Sequence, residues 1–74
     1  MYRIRKENAE FLRDIRNDSY ARLLGMTPVN ISYIFSGKTT KLSTAIGIIS
    51  VRYNISSTDE KMQYLIEKHF EKIN

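Results

Sequence analysis

Apolar residues recur along most of this chain at intervals of three and four, which predicts helices rather than strands. Ile4, Phe11, Leu12 and Ile15 are set among Arg5, Lys6, Glu7, Glu10 and Arg13, and predict one amphipathic helix over about Ile4 to Asp14. Asn17-Asp18-Ser19 then offers side-chain acceptors for a second start, and the short helix through Leu24 must stop at Gly25, a residue that accepts a positive φ. Thr27-Pro28 is the clearest start signal, a capping hydroxyl followed by proline at the first helical position. The helix it opens reaches about Phe35, places Ile31 and Ile34 on one side, and ends at Ser36-Gly37. A polar stretch, Lys38 to Lys41, leads to a fourth helix from Leu42 or Ser43 to about Tyr53, with Asn54 as its stop. Ser56 to Glu60 supplies caps and negative charge for a last helix over about 58–73, whose stripe is Met62, Leu65, Ile66, His69, Phe70 and Ile73. No Asn-Gly or Asp-Gly turn lies between alternating runs, so no hairpin is predicted. The expectation is an all-α single domain over 1–74, five helices that are each too short to stand alone and must share a core.

The unit from Asn17 to Ser36 carries the most information. Two short helices joined by Gly25-Met26-Thr27 meet at a steep angle, which requires a small residue at their closest approach and a positive φ in the turn. Ala21 and Gly25 meet those needs, and Tyr20, Leu24, Met26, Ile31 and Ile34 supply inward apolar groups.

This pattern resembles the helix-turn-helix of the lambda repressor and Cro-like (Xre-type) regulators found in phages and bacteria. Ala21, Gly25, the apolar residues around them, Ile31 and Ile34 match the family pattern without a gap, and Ile46, Ile49, Ser50 and Tyr53-Asn-Ile-Ser56 extend the likeness over about 15–56. Asn17 stands where the family usually has Gln, and the stretch after Ser56 follows no family pattern. The resemblance implies a five-helix domain with its helix-turn-helix at about 17–36 and a transcriptional regulator that occupies a double-stranded DNA operator. A dimer would sit on two half-sites about one helical turn apart, in the cytoplasm and nucleoid of a bacterial host. The helix from Pro28 would enter the major groove and present Val29, Asn30, Ser32 and Tyr33, with Thr27 and Pro28 at its leading end. Asn30 suits adenine, Ser32 several bases, and Val29 a thymine methyl group, while the lack of Arg or Gln on this face predicts little guanine readout. Asn17, Ser19 and Thr27 would meet phosphates at helix starts, and Lys38, Thr39, Thr40 and Lys41 would grip the backbone beyond. Arg3, Arg5 and Lys6 either offer a further basic contact or belong to a solvated helix start.

Composition narrows the field without deciding it. The 74 residues carry 12 Lys plus Arg against 8 Asp plus Glu, a net charge of +4 that favours an acidic partner. There is no cysteine and one histidine, so no disulfide framework, metal site or cofactor is expected. A serine nucleophile would need a base, and His69 lies on a helix stripe, so no enzyme is expected. Glu7, Glu10 and Asp14 are interleaved with cations and read as surface ion-pair partners. No apolar run approaches a membrane span, and the basic N-terminus lacks the apolar core of a signal peptide.

One pattern goes beyond these needs. Ile46, Ile49 and Tyr53 form one stripe of the fourth helix, and Ile48, Val51 and Ile55 form another. Either the second stripe receives the last helix within one chain, or it joins that helix in a homodimer or partner interface. A protein partner in place of DNA, as in an antirepressor that binds a repressor protein or an antidote that binds a toxin, is the competing functional class.

Overall fold

The computed structural model describes residues 1–73. The order is β1 (Tyr2–Ile4), a 3-10 turn (Lys6–Asn8), α1 (Ala9–Leu12), α2 (Asn17–Leu24), α3 (Pro28–Phe35), α4 (Leu42–Tyr53), α5 (Met62–His69) and β2 (Phe70–Lys72). The described residues are thus mostly helical, with five α-helices and a small two-stranded sheet. Among the described residues no helix is long and apolar enough to cross a membrane.

The three central stop and start signals work as local chemistry dictates. Gly25 closes α2 at φ 66°, ψ 34°, and the N–H groups of Gly25 and Met26 both reach the Ala21 carbonyl. Thr27 caps α3, its Oγ1 accepting from the Asn30 N–H at 3.2 Å, and Pro28 follows at the first helical position. Asn54 ends α4 in the left-handed region at φ 54°, which asparagine tolerates better than most side chains. The start of α2 differs from expectation. Arg16 is the capping residue and offers only its carbonyl, to Ser19 and Tyr20, while Asp18 puts negative charge in the first turn.

Both ends of the chain depart from the all-α expectation. The helix expected over Ile4 to Asp14 is replaced by β1, the 3-10 turn and the four residues of α1, and the helix expected over 58–73 runs only from Met62 to His69. The cause is a pairing between the two ends. β1 and β2 are antiparallel, with Tyr2 opposite Lys72, Arg3 opposite Glu71 and Ile4 opposite Phe70. Arg5 N–H to the His69 carbonyl (2.8 Å) and Ile73 N–H to the Met1 carbonyl (2.8 Å) extend the ladder beyond both ends. Along β1 the side chains alternate, Ile4 buried and Arg3 exposed, as a two-residue period requires. On its other edge β1 pairs with the loop after α3: Tyr2 and Thr40 exchange both backbone hydrogen bonds at 2.7 Å. β1 therefore ties the loop beyond α3 to the C-terminal strand.

The core lies between the helices and this strip. Leu12, Tyr20, Ile31, Ile48, Ile49 and Phe70 are almost wholly buried, and Ala21 and Ala45 are buried among them. Tyr20 brings a hydroxyl into this apolar interior, and it donates to the Leu12 carbonyl at 2.5 Å. Burial pushes that phenol up to about 12, so it stays a donor at neutral pH. Gly47 faces Leu24 so closely that a β-carbon there would lie 2.7 Å from a Leu24 methyl, which marks where α4 rests on α2. Ile48 on the second α4 stripe is buried, as are Met62, Leu65, Ile66 and Phe70 from the last segment, and Val51 and Ile55 are half-buried against them. Of the two arrangements open from the sequence, the α4 stripe and the α5 stripe take the first, packing against each other within one chain.

Candidate nucleic-acid interface

The side chains of α3 divide cleanly. Ile31, Ile34 and Phe35 are buried, and Phe35 sits with its ring 5.6 Å from that of Tyr20. Thr27, Pro28, Val29, Asn30, Ser32 and Tyr33 are exposed, with Val29 58% and Tyr33 51% accessible. A three-point anchor holds the face still, while Thr27 fixes its entry angle.

The far end of α3 is tied to the loop that follows. Gly37 turns at φ 114°, the Ser36 hydroxyl donates to the Tyr33 carbonyl at 2.9 Å, and the Lys38 N–H reaches the same carbonyl at 3.0 Å. The Lys38 ammonium lies 5.5 Å from the centre of the Tyr33 ring, within range of a cation–π attraction. Lys38 and Tyr33 thus form one positively charged, aromatic corner.

A hollow of about 560 Å³ runs beside α3, bordered by Asn30 on one wall and by Lys38, Thr39, Thr40 and Lys41 on the other. Leu24, Met26 and Ile34 contribute its apolar lining. Ser43 and Thr44, in the first turn of α4, and Met1 also border it, and none of the three was expected from the sequence. The signal for Ser43-Thr44 is their place one residue past Leu42 at the start of a helix that follows Lys41; Met1 reaches the hollow only because β1 pairs with Thr40.

Of the twelve residues expected to meet DNA, the hollow brings together Asn30, Lys38, Thr39, Thr40 and Lys41. Thr27, Pro28, Val29, Ser32 and Tyr33 are exposed on α3 itself or at its cap. Asn17 and Ser19 are half-buried in the first turn of α2 and do not border the hollow. Thr40 is a correction: it is buried, and its backbone is committed to Tyr2, so it fixes the position of the loop more than it offers a surface side chain. The N-terminal cations are a second correction. Arg3 Nη2 lies 2.7 Å from Glu71 Oε1, and Arg5 Nε donates to the Glu67 carbonyl at 3.1 Å, so both hold the sheet edge rather than a free basic arm. These two and Lys6 border a separate hollow of about 800 Å³ that also holds Glu7, Glu10 and Glu71, a surface of mixed sign.

On the opposite side, Phe11, Tyr53 and His69 form an aromatic cluster. The Phe11 ring stacks on His69 at 5.7 Å and meets Tyr53 at 5.3 Å, and the Arg52 guanidinium lies 3.8 Å from the Phe11 centroid. Arg52 also donates to the Phe11 carbonyl at 2.7 Å and approaches Asp14 at 3.6 Å, tying α4 to α1 and to the segment after it. The stripe position of His69 turns out to be an interior one. It is 1% exposed, with Nε2 2.6 Å from the Tyr53 hydroxyl and Nδ1 buried without a partner among the described residues.

Burial holds the His69 imidazole below its ordinary 6.5, and the Lys68 and Arg52 charges push it the same way. The unfolded chain takes up this proton near pH 6.5, and the folded chain only at lower pH. Between those values the unfolded state binds more protons, so stability is full above about pH 6.5 and falls as the pH drops toward the folded-state value. His69 is the chain's one histidine. Urea unfolding at pH 7.5 and pH 5.5 should therefore give a lower midpoint at pH 5.5, and a His69→Gln chain should lose most of that difference.

Comparison with family models, curated proteins and solved structures found no match to this chain.

Proposed function

We propose that this chain is a sequence-specific double-stranded-DNA-binding regulator of the lambda repressor/Cro-like kind, with α2 and α3 as its helix-turn-helix. It acts by occupancy: α3 enters the major groove, and a bound pair of chains on two half-sites blocks polymerase or a competing regulator in the cytoplasm of a bacterial host. The observation that carries the reading is the division of α3. Three buried residues lock the helix to the core, while Val29, Asn30, Ser32 and Tyr33 stand exposed beside a loop that carries Lys38 and Lys41. Those two lysines are exposed in the loop beyond a helix without an ionisable cation or carboxylate of its own, an arrangement that suits phosphates next to base edges.

The test is selection from a random duplex library, followed by affinity measurement on the enriched sequence over a range of salt. Each phosphate that a lysine neutralises contributes a slope of about −0.9 to log K against log salt. The Lys38→Ala/Lys41→Ala chain should bind more weakly and show a slope shallower by about 1.8 for each bound chain. An affinity that does not change with salt would count against DNA as the partner.

A second reading has one specific support. The exposed α3 face includes Val29 and Tyr33 and no charge, which also suits a protein surface. An antirepressor or antidote would hold its protein partner through high salt, whereas an operator would release the chain.

A further inference from the structure

Resting on the proposal that α3 reads duplex DNA, we infer that the half-site core it reads is A·T, with a thymine methyl group seated against Val29 and an adenine edge against Asn30. The α3 residues leave few other choices. Among Pro28–Phe35 there is no Arg, Lys, Gln, Asp or Glu. Guanine in the major groove presents two acceptors, O6 and N7, that call for a forked or cationic donor, and cytosine presents an N4 donor that calls for a carboxylate. This face has neither, and its one aliphatic hydroxyl, on Ser32, selects no single base. Adenine presents an acceptor and a donor side by side, which one carboxamide matches, and its partner thymine adds an apolar methyl group.

Both complements are exposed on α3, at consecutive positions about 100° apart around its axis. Asn30 uses its backbone N–H on Thr27 Oγ1 and is itself exposed, on the wall of the hollow beside α3. Val29 is its neighbour in sequence and is 58% exposed; Tyr33 lies one turn further along the same face and is 51% exposed. An apolar pair at four-residue spacing, held on a helix with its opposite side buried, is a surface for methyl groups on successive base pairs. The nearest cation does not supply the missing guanine donor. Lys38 is bound by its N–H to the Tyr33 carbonyl, and its ammonium stands 5.5 Å from the Tyr33 ring, beyond the end of α3 where the phosphates would run.

The experiment is a double cycle on the selected duplex. Deoxyuridine replaces thymidine one position at a time, deleting only the methyl group, and each duplex is titrated with the wild-type chain and with the Val29→Ala chain. The loss of one contacted methyl should weaken wild-type binding about fourfold. At the position facing Val29 that penalty should vanish in Val29→Ala, because the two changes remove the same contact. Val29 is exposed, so the variant should fold as the wild type does, and its circular dichroism and urea midpoint check this. A duplex enriched with a G·C core would overturn the inference and leave the DNA-binding proposal standing, as would methyl deletions that cost nothing or that cost the same in both chains. Failure to enrich any duplex would overturn both.

Discussion

Replacing Asn30 and Tyr33 together by alanine should weaken binding to the selected duplex by about 30-fold or more, the product of two contacts of about 1 kcal/mol or above. Binding to an unrelated duplex should change far less, because that binding comes from phosphates and the lysines remain. Both residues are exposed, and neither belongs to the buried set of Ile31, Ile34 and Phe35, so the variant's stability should stay within about 0.5 kcal/mol of wild type. That contrast separates a reading face from a structural one. Fluorescence anisotropy on the two duplexes, with a urea titration alongside, measures all three quantities. Equal losses on both duplexes would assign these residues to general binding, and an unchanged affinity would remove them from the interface.

The second large effect is expected far from that face. Phe70 is 1% exposed at the junction where α5 passes into β2, opposite Ile4. Phe70→Ala should cost about 3–5 kcal/mol, the range for a buried phenylalanine. Small domains have only about 5–15 kcal/mol in total, so much of the stability would go. The loss should have a signature beyond its size. The ladder between the chain ends also positions Tyr2, and Tyr2 holds Thr40 in the loop beside α3. Amide exchange in Phe70→Ala should therefore quicken at Tyr2 and Thr40 as well as in β2. A lowered urea midpoint with exchange at Thr40 unchanged would show that the strip does not act as one unit.

The chain's local signals and its long-range ones fared differently when met in three dimensions. Gly25, Thr27-Pro28 and Asn54 depend on their own backbone angles and on neighbours within four residues, so helix ends near the middle of the chain were legible. The strands were not. Each is three residues long, too short for alternation to be distinguished from a helical pattern, and each exists only because the other lies at the opposite end of the chain. Ile4 and Phe11, seven residues apart, match a helical stripe, yet Ile4 is buried opposite Phe70 and Phe11 packs on Tyr53 and His69. The same limit applies to the candidate interface. The exposed and buried sides of α3 follow from periodicity, so Val29, Asn30, Ser32 and Tyr33 could be read off the chain. The engagement of Arg3 by Glu71, the burial of Thr40 and the approach of Met1 to the hollow depend on pairings that no local pattern encodes.

Those pairings also alter the meaning of the +4 charge. Arg3, Arg5, Arg16 and Arg52 all face carboxylates within 4.0 Å, Arg3 and Arg5 sharing Glu71, so four of the 12 Lys and Arg are answered inside the molecule. Exposed pairs of this kind contribute little to stability, about 0–1 kcal/mol each, but they remove cations from general service to an anionic partner. Lys38 and Lys41 stand exposed beside α3 and are the cations the proposed mode relies on.

The central claim is that the outer side of α3 and the loop after it meet duplex DNA. Its most direct test is a titration of the isotopically labelled chain with the selected duplex, followed by backbone amide chemical shifts. The largest perturbations should fall at residues 27–33 and 38–44, with α5 and β2 nearly unmoved. Perturbations concentrated on α5, or none at any DNA concentration, would contradict it.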